Sequence, residues 1–206
     1  MHTGFLKAAQ QICRNGETVT AKKVFSEMTS WIKALFFAIM LALLIRAFVI
    51  EPVRVDGPSM NDTLATGQRL VVFKTSYLLG QPARGDIVVL EMNTDEKASW
   101  IPFIGRKQSE LDYIKRIIGV PGDVIDLQNG QVIRNGERLQ ETYAKGLTYP
   151  SKISFPLTVP DGRYFVLGDN RTNSSDSRYF DCIEQHRVRG KAVFRFYPFD
   201  VIGIIK

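Results

Sequence analysis

The sequence predicts a mainly β protein, an antiparallel β-sheet domain preceded by one N-terminal transmembrane helix. Three observations predict it. An uncharged apolar run, ALFFAIMLALLI, occupies residues 34–45. Beyond it, short runs rich in Val, Ile, Phe and Tyr alternate with Gly, Pro, Asn and Asp clusters. No long amphipathic pattern interrupts those runs, so helices have little room in the second part of the chain.

The apolar run alone is too short to cross a bilayer, since its residues span about 18 Å as a helix against a hydrocarbon core of roughly 30 Å. Extending it from Trp31 to Ile50 reaches about 30 Å, provided that Lys33 and Arg46 reach toward opposite interfaces. Trp31 suits an interfacial anchor. A cleaved leader and a buried core helix are the alternatives; Arg46 and Phe48 stand where a leader would need small neutral residues. The expected organisation is a cytoplasmic segment at 1–30, a transmembrane helix at 31–50 and an extracytoplasmic domain at 51–206. Arg14, Lys22, Lys23 and Lys33 toward the N-terminal side, against Arg54 and Arg69 on the other, set that orientation. Cys13 and Cys182 would then lie on opposite sides of the membrane, so each is expected to be a free thiol.

In the second part, strands are expected at 69–73, 85–91, 113–120, 123–127, 131–134, 163–167, 191–197 and 201–205. Asn129-Gly130 and Asn135-Gly136 both tolerate left-handed backbone, so 123–141 reads as a tight antiparallel meander. Residues 92–112 and 142–162 are polar and bear Gly and Pro, and are expected to be loop insertions. Charge supports the membrane and not a nucleic acid as partner. Residues 1–50 hold six basic and two acidic side chains, residues 51–206 twenty-one and nineteen, so the sheet domain has no concentrated basic face.

Chemistry-bearing residues gather in short segments. Gly57-Pro58-Ser59-Met60 presents a serine in a turn stiffened by proline. It is neither a nucleophile elbow, because Asn61 stands where Gly is needed, nor a Ser-x-x-Lys motif, because Asp62 stands where Lys is needed. Asp112 to Gly119 alternates as a strand that gives Lys115 bulky, mostly apolar neighbours. A lysine near its ordinary pKa of about 10.4 is neutral in well under about 1% of molecules at pH 8, so it serves as a base only where desolvation lowers that value. The loop from Gly168 to Arg178 is dense in hydroxyls, amides and ion-pair formers. It fails as a calcium loop, since an EF-hand starting at Asp169 would need Gly at 174 and Glu at 180 and finds Ser and Phe. Zinc spacing, a phosphate loop and a dinucleotide glycine pattern are all missing from the sequence. With only His2 and His186 in the chain, an extracytoplasmic Ser-His-Asp triad could draw on His186 alone.

In this order behind one span, GPSMNDTL at 57–64, GDIVVL at 85–90, YIKRIIGVPGD at 113–123, GDNRTNSSDSR at 168–178 and RGKA at 189–192 resemble the bacterial type I signal peptidases. These are membrane-anchored serine proteases that remove signal peptides from exported precursors. The resemblance implies a serine-lysine dyad, with Ser59 as nucleophile and Lys115 as general base. It also implies that Ser174 hydrogen-bonds and orients Lys115, and that Asp176 and Arg178 form an ion pair holding the loop. Met60, Tyr113 and Asp169 would be structural neighbours of the site, with Asp169 and Arg171 read as loop architecture. The oxyanion hole would lie at Ser59 and Gly57, with the Ser59 N–H as donor and no hydroxyl at Gly57 to assist. No cofactor or metal is implied. The implied partners are signal-peptide-bearing precursors and the lipid bilayer, and the chain is expected to be a monomer. The cleavage site would carry small residues, usually Ala, at the positions one and three before the bond, and the substrate strand would add to an exposed edge near Ser59.

The resemblance breaks at Asp62, where the family usually has proline, and after Arg178, where YFDCIEQHR replaces an aromatic-aromatic-glycine run. An acid close to Lys115 would favour its ammonium form and oppose the base role. Asp62 and the shortened loops motivate the alternative, a noncatalytic or specialised relative serving assembly or processing of surface or pilin proteins. A related serine-lysine fold in self-cleaving repressors would need a DNA-binding module, and the sequence has none.

Overall fold

The structure, a computed structural model, describes residues 3–77, 80–92 and 112–205, in two compact units divided between Ile45 and Arg46. The first is most of one helix, α1 (Thr3–Phe48). Its stretch Lys23–Ile45 is long and apolar enough to cross a membrane, and the side chains of Phe25, Trp31, Leu35, Phe36 and Leu41 are all exposed. Such an exposed apolar surface is what a lipid-facing helix requires. The helix ends at Phe48, and Ile50 opens the first strand.

The second unit is built on antiparallel pairs. Its strands are β1 (Ile50–Arg54), β2 (Arg69–Phe73), β3 (Ile87–Glu91), β4 (Asp112–Gly119), β5 (Val124–Gln128), β6 (Gln131–Arg134), β7 (Glu137–Arg138), β8 (Leu157–Thr158), β9 (Arg163–Leu167), β10 (Ile183–Glu184), β11 (Val188–Tyr197) and β12 (Gly203–Ile204). The larger sheet runs β1-β2-β11-β3-β4-β9-β10, with β12 on β11; the smaller runs β7-β6-β5-β8. Seven of the eight strands expected from sequence are present, and the eighth, expected at 201–205, is reduced to Gly203–Ile204 because Phe199–Val201 forms a 3-10 turn. β1, β7, β8 and β10 were not legible, being two to five residues long and, apart from β1, too short for alternation to register.

β3 shows how a continuous apolar run becomes a central strand. Ile87 and Val89 face one core cluster, with Val53, Val55, Met60, Leu64 and Leu70, while Val88 and Leu90 face another, with Ile117, Tyr164 and Val166. Period two thus sends one run into two cores. The third cluster joins the sheets: Ile125, Leu127 and Val132 of the smaller pack on Phe165 and Leu167 of the larger. The meander forms as expected. Asn129 and Gly130 connect β5 to β6 with φ of 51° and 77°, and Asn135 and Gly136 connect β6 to β7 with 55° and 82°. Residues 142–156 contain only one isolated bridge, Lys145 to Asn170. The insertion expected near 92–112 lies outside the described residues except at its ends.

Phe165 is fully buried and stacks edge-on against Phe155 at 5.9 Å. Phe165→Ala is expected to cost about 3–5 kcal/mol, because it empties the joint between sheets. Chemical denaturation should show a lower midpoint with little change in slope.

Candidate active site

The serine turn follows β1 and is held by what it buries. Val55, Met60 and Leu64 all sit in the first core cluster, and the Leu64 and Asn61 N–H groups donate to Met60 O at 2.7 Å and Pro58 O at 3.0 Å. Gly57 takes a φ of 89°. Ser59 is therefore half-buried at a fixed place, on the wall of a cleft of about 230 Å³ that Tyr113, Ile114 and Lys115 line from β4. Its N–H donates to no group among the described residues, whereas its carbonyl accepts from Asn170 N at 3.0 Å.

Lys115 is 3% exposed on β4, which lies between β3 and β9. Its Nζ donates to Ser59 Oγ at 2.8 Å and to Ile114 O at 3.0 Å, with the Tyr113 ring centroid 4.9 Å away. Burial lowers its pKa to about 8, against the opposing pull of Asp176 and then Asp169. Both acids are themselves paired. Asp176 accepts from Arg178 Nε at 2.8 Å and Nη2 at 2.9 Å, and Asp169 from Arg116 Nε at 2.9 Å and Nη2 at 2.8 Å. Desolvation of the amine outweighs them.

The Asp176–Arg178 pair forms as expected, and Asp176 also accepts from Gly168 N at 3.1 Å, closing the loop on itself. Asp169 has a larger role than loop architecture. Besides Arg116 it accepts from Thr63 Oγ1 at 2.5 Å, tying the serine turn to β4 through one buried carboxylate. Asn170 adds a second tie, its Nδ2 donating to Pro58 O at 3.1 Å. Arg116, Thr63 and Asn170 went unnoticed in the sequence. Only Arg116 left a signal, a charge on the face of β4 opposite Lys115. Arg171, nearly fully buried, donates to Glu141 at 2.6 and 2.8 Å and to Thr148 at 2.7 Å, anchoring the loop to the 141–148 segment.

Two expectations need correcting. Ser174 makes no bond to Lys115: its Oγ is buried without a hydrogen-bond partner and packs over Gly168, while the lysine donates to Ser59 and Ile114. Asp62 does not oppose the lysine. It takes a φ of 35°, which proline cannot adopt, and is exposed, with its Oδ1 3.0 Å from Lys145 Nζ. The backbone of Lys145 in turn donates to Asp169 O at 2.7 Å and accepts from Arg171 N at 2.9 Å, so the acid at the usual proline position is neutralised by the loop it faces.

Other nucleophiles and bases fit less well. Cys182 is buried and free, its thiol pushed up to about 12 by burial and then by Asp181. His186 is exposed beside Glu184 at 3.3 Å and does not line the cleft. Among the described residues no cluster of His, Cys, Asp or Glu has the arrangement of a metal site. A buried amine beside a serine hydroxyl can remove its proton and leave an alkoxide to attack an acyl carbon.

The family described as signal peptidase, peptidase S26, matches residues 28–197. A signal peptidase I of Bacillus licheniformis is 39% identical over 196 residues, covering 90% of this chain and 96% of that one. Signal peptidase I S of Bacillus subtilis is 40% identical over 194 residues, covering 89% and 95%. A crystal structure of a signal peptidase I from Enterococcus faecalis is 29% identical and covers 54% of this chain and 96% of that one, with a TM-score of 0.39. On the breadth of the family match and of these sequence identities, the chain belongs to the S26 family of signal peptidases.

Proposed function

We propose that this serine endopeptidase removes signal peptides from precursors with Ser59 as nucleophile and Lys115 as general base. The observation that carries the assignment is the 2.8 Å approach of Nζ to Ser59 Oγ by an amine that burial holds at about 8. Neutral Lys115 takes the Ser59 proton as Oγ attacks the scissile carbonyl. The Ser59 N–H, bonded to nothing in the described structure, meets the developing oxyanion. The lysine then gives the proton to the departing amine, leaving the signal peptide as a seryl ester. Water, activated by the same lysine, cleaves that ester and releases the signal peptide as a carboxylate.

Asp169, Arg116, Asn170 and Thr63 hold the serine turn against β4, and the Asp176–Arg178 pair holds the loop behind it. Ser174 joins the dyad only if its side chain turns away from Gly168. The apolar exposed stretch of α1 supports a single membrane span, and the basic residues before it support a cytoplasmic N-terminus with the sheet domain outside.

Ser59→Ala is expected to lower precursor processing by about three orders of magnitude or more, followed as conversion of precursor to mature protein in membranes. Unchanged processing would sink the protease assignment and favour the noncatalytic alternative.

Because the base must be neutral, kcat/KM should rise about tenfold per pH unit below about 8 and level off above it. Lys115→Ala should remove both the activity and the limb. A limb centred at an ordinary lysine value would contradict the assignment.

A methyl group at Gly168 would meet Ser59 O at 2.5 Å and Ser174 Oγ closer still. Gly168→Ala is expected to displace the nucleophile and cut kcat about a hundredfold, with retained folding checked by circular dichroism.

A further inference from the structure

We propose that Asp56 is a specificity-determining residue, through which the cleft favours precursors carrying a Lys or Arg side chain near the scissile bond and disfavours those carrying an acid there. The inference rests on the signal-peptidase function above and names the substrate class of the same site. Asp56 lines the cleft three residues before Ser59 and is exposed. Among the described residues it makes no ion pair or hydrogen bond, not even with Arg54 two residues earlier along the chain.

The rest of the lining is apolar or neutral, as with Val55, Ile114, Tyr113, Asn173 and Ser175, apart from Lys115. That lysine must shed its charge to act as base, so in its working state the described cleft holds one net negative charge, on Asp56. A cleft with one sign of charge raises the local concentration of the opposite sign. The carboxylate is exposed and can meet an incoming ammonium or guanidinium without first breaking a pair with any described residue. Three residues of chain reach at most about 10 Å, so Asp56 can address side chains within about three residues of the bond. The charges that move Lys115 are Asp176 and Asp169, so Asp56 acts on the substrate and not on the base.

The test uses the full-length enzyme in lipid–detergent micelles. Its substrates are peptides identical except for Lys, Gln or Glu at one position from the third before to the third after the bond, the small residues one and three before it left unchanged. An exposed pair is worth up to about fivefold, and attraction and repulsion both enter a Lys-to-Glu comparison. The Lys peptide is therefore expected to exceed the Glu peptide in kcat/KM by about 3- to 20-fold at one or more positions in about 50 mM salt, and by much less in about 1 M salt, where screening reaches about 3 Å. Asp56→Asn should bring that ratio near one, Asp56→Glu should keep it, and Asp56→Lys should invert it, all with the alkaline limb in place. A ratio near one in the wild-type enzyme at every position, an unchanged ratio in Asp56→Asn, or a moved limb in that variant overturns the proposal alone. Failure to cleave any of the peptides overturns the signal-peptidase function with it.

Discussion

Near neutral pH an aliphatic amine stays free to accept a proton when its charged form is disfavoured, here by keeping water from it, and that constraint shapes the domain around Lys115. The lysine sits on β4, inside a sheet whose central strands are covered on both faces by separate apolar clusters. Its opposing influences are acids it cannot avoid, Asp176 and Asp169, which also build the neighbouring loop. Pairing each with an arginine, Arg178 and Arg116, limits how far they favour the ammonium. Buried ion pairs repay their desolvation only with good geometry and satisfied partners, and both are bidentate. Their contribution here is positional: removing one partner would leave a bare charge beside the proposed base.

The proposed nucleophile is fixed by a different device. Ser59 lies on a turn whose apolar residues plug into the first core cluster and whose carbonyls are held by Asn170. Gly168 must be bare because Ser59 O and the Ser174 hydroxyl occupy the space that a side chain would need. Serine turn, β4 and the 168–178 loop are thereby one unit, with Asp169 at their junction.

Asp62 illustrates how one departure is absorbed. Proline would fix a negative φ, but the aspartate turns into the left-handed region and sends its carboxylate to Lys145. Exposed pairs of this kind add little stability, about 0–1 kcal/mol, so the gain lies chiefly in keeping a stray negative charge occupied at the edge of the site.

Hydrophobic period and turn chemistry made the sheet legible: β2, β3, β4, β5, β6, β9 and β11 all follow from local runs, and the Asn-Gly pairs from the dihedrals they tolerate. The apolar stretch of α1 was equally plain, since an uncharged run is a property of composition. Motif resemblance singled out Ser59 and Lys115, proposed here as the dyad, and the Asp176–Arg178 ion pair. What sequence left open were matters of contact between distant segments. Whether Asp62 would meet Lys115 or Lys145, whether Ser174 would face the lysine or Gly168, and which arginine would take Asp169 are decided by packing, because their separations along the chain carry no information about distance in space. The apolar and polar order of residues determined where strands and span could form; only the closing of three segments around one buried amine decided which charges that amine encounters.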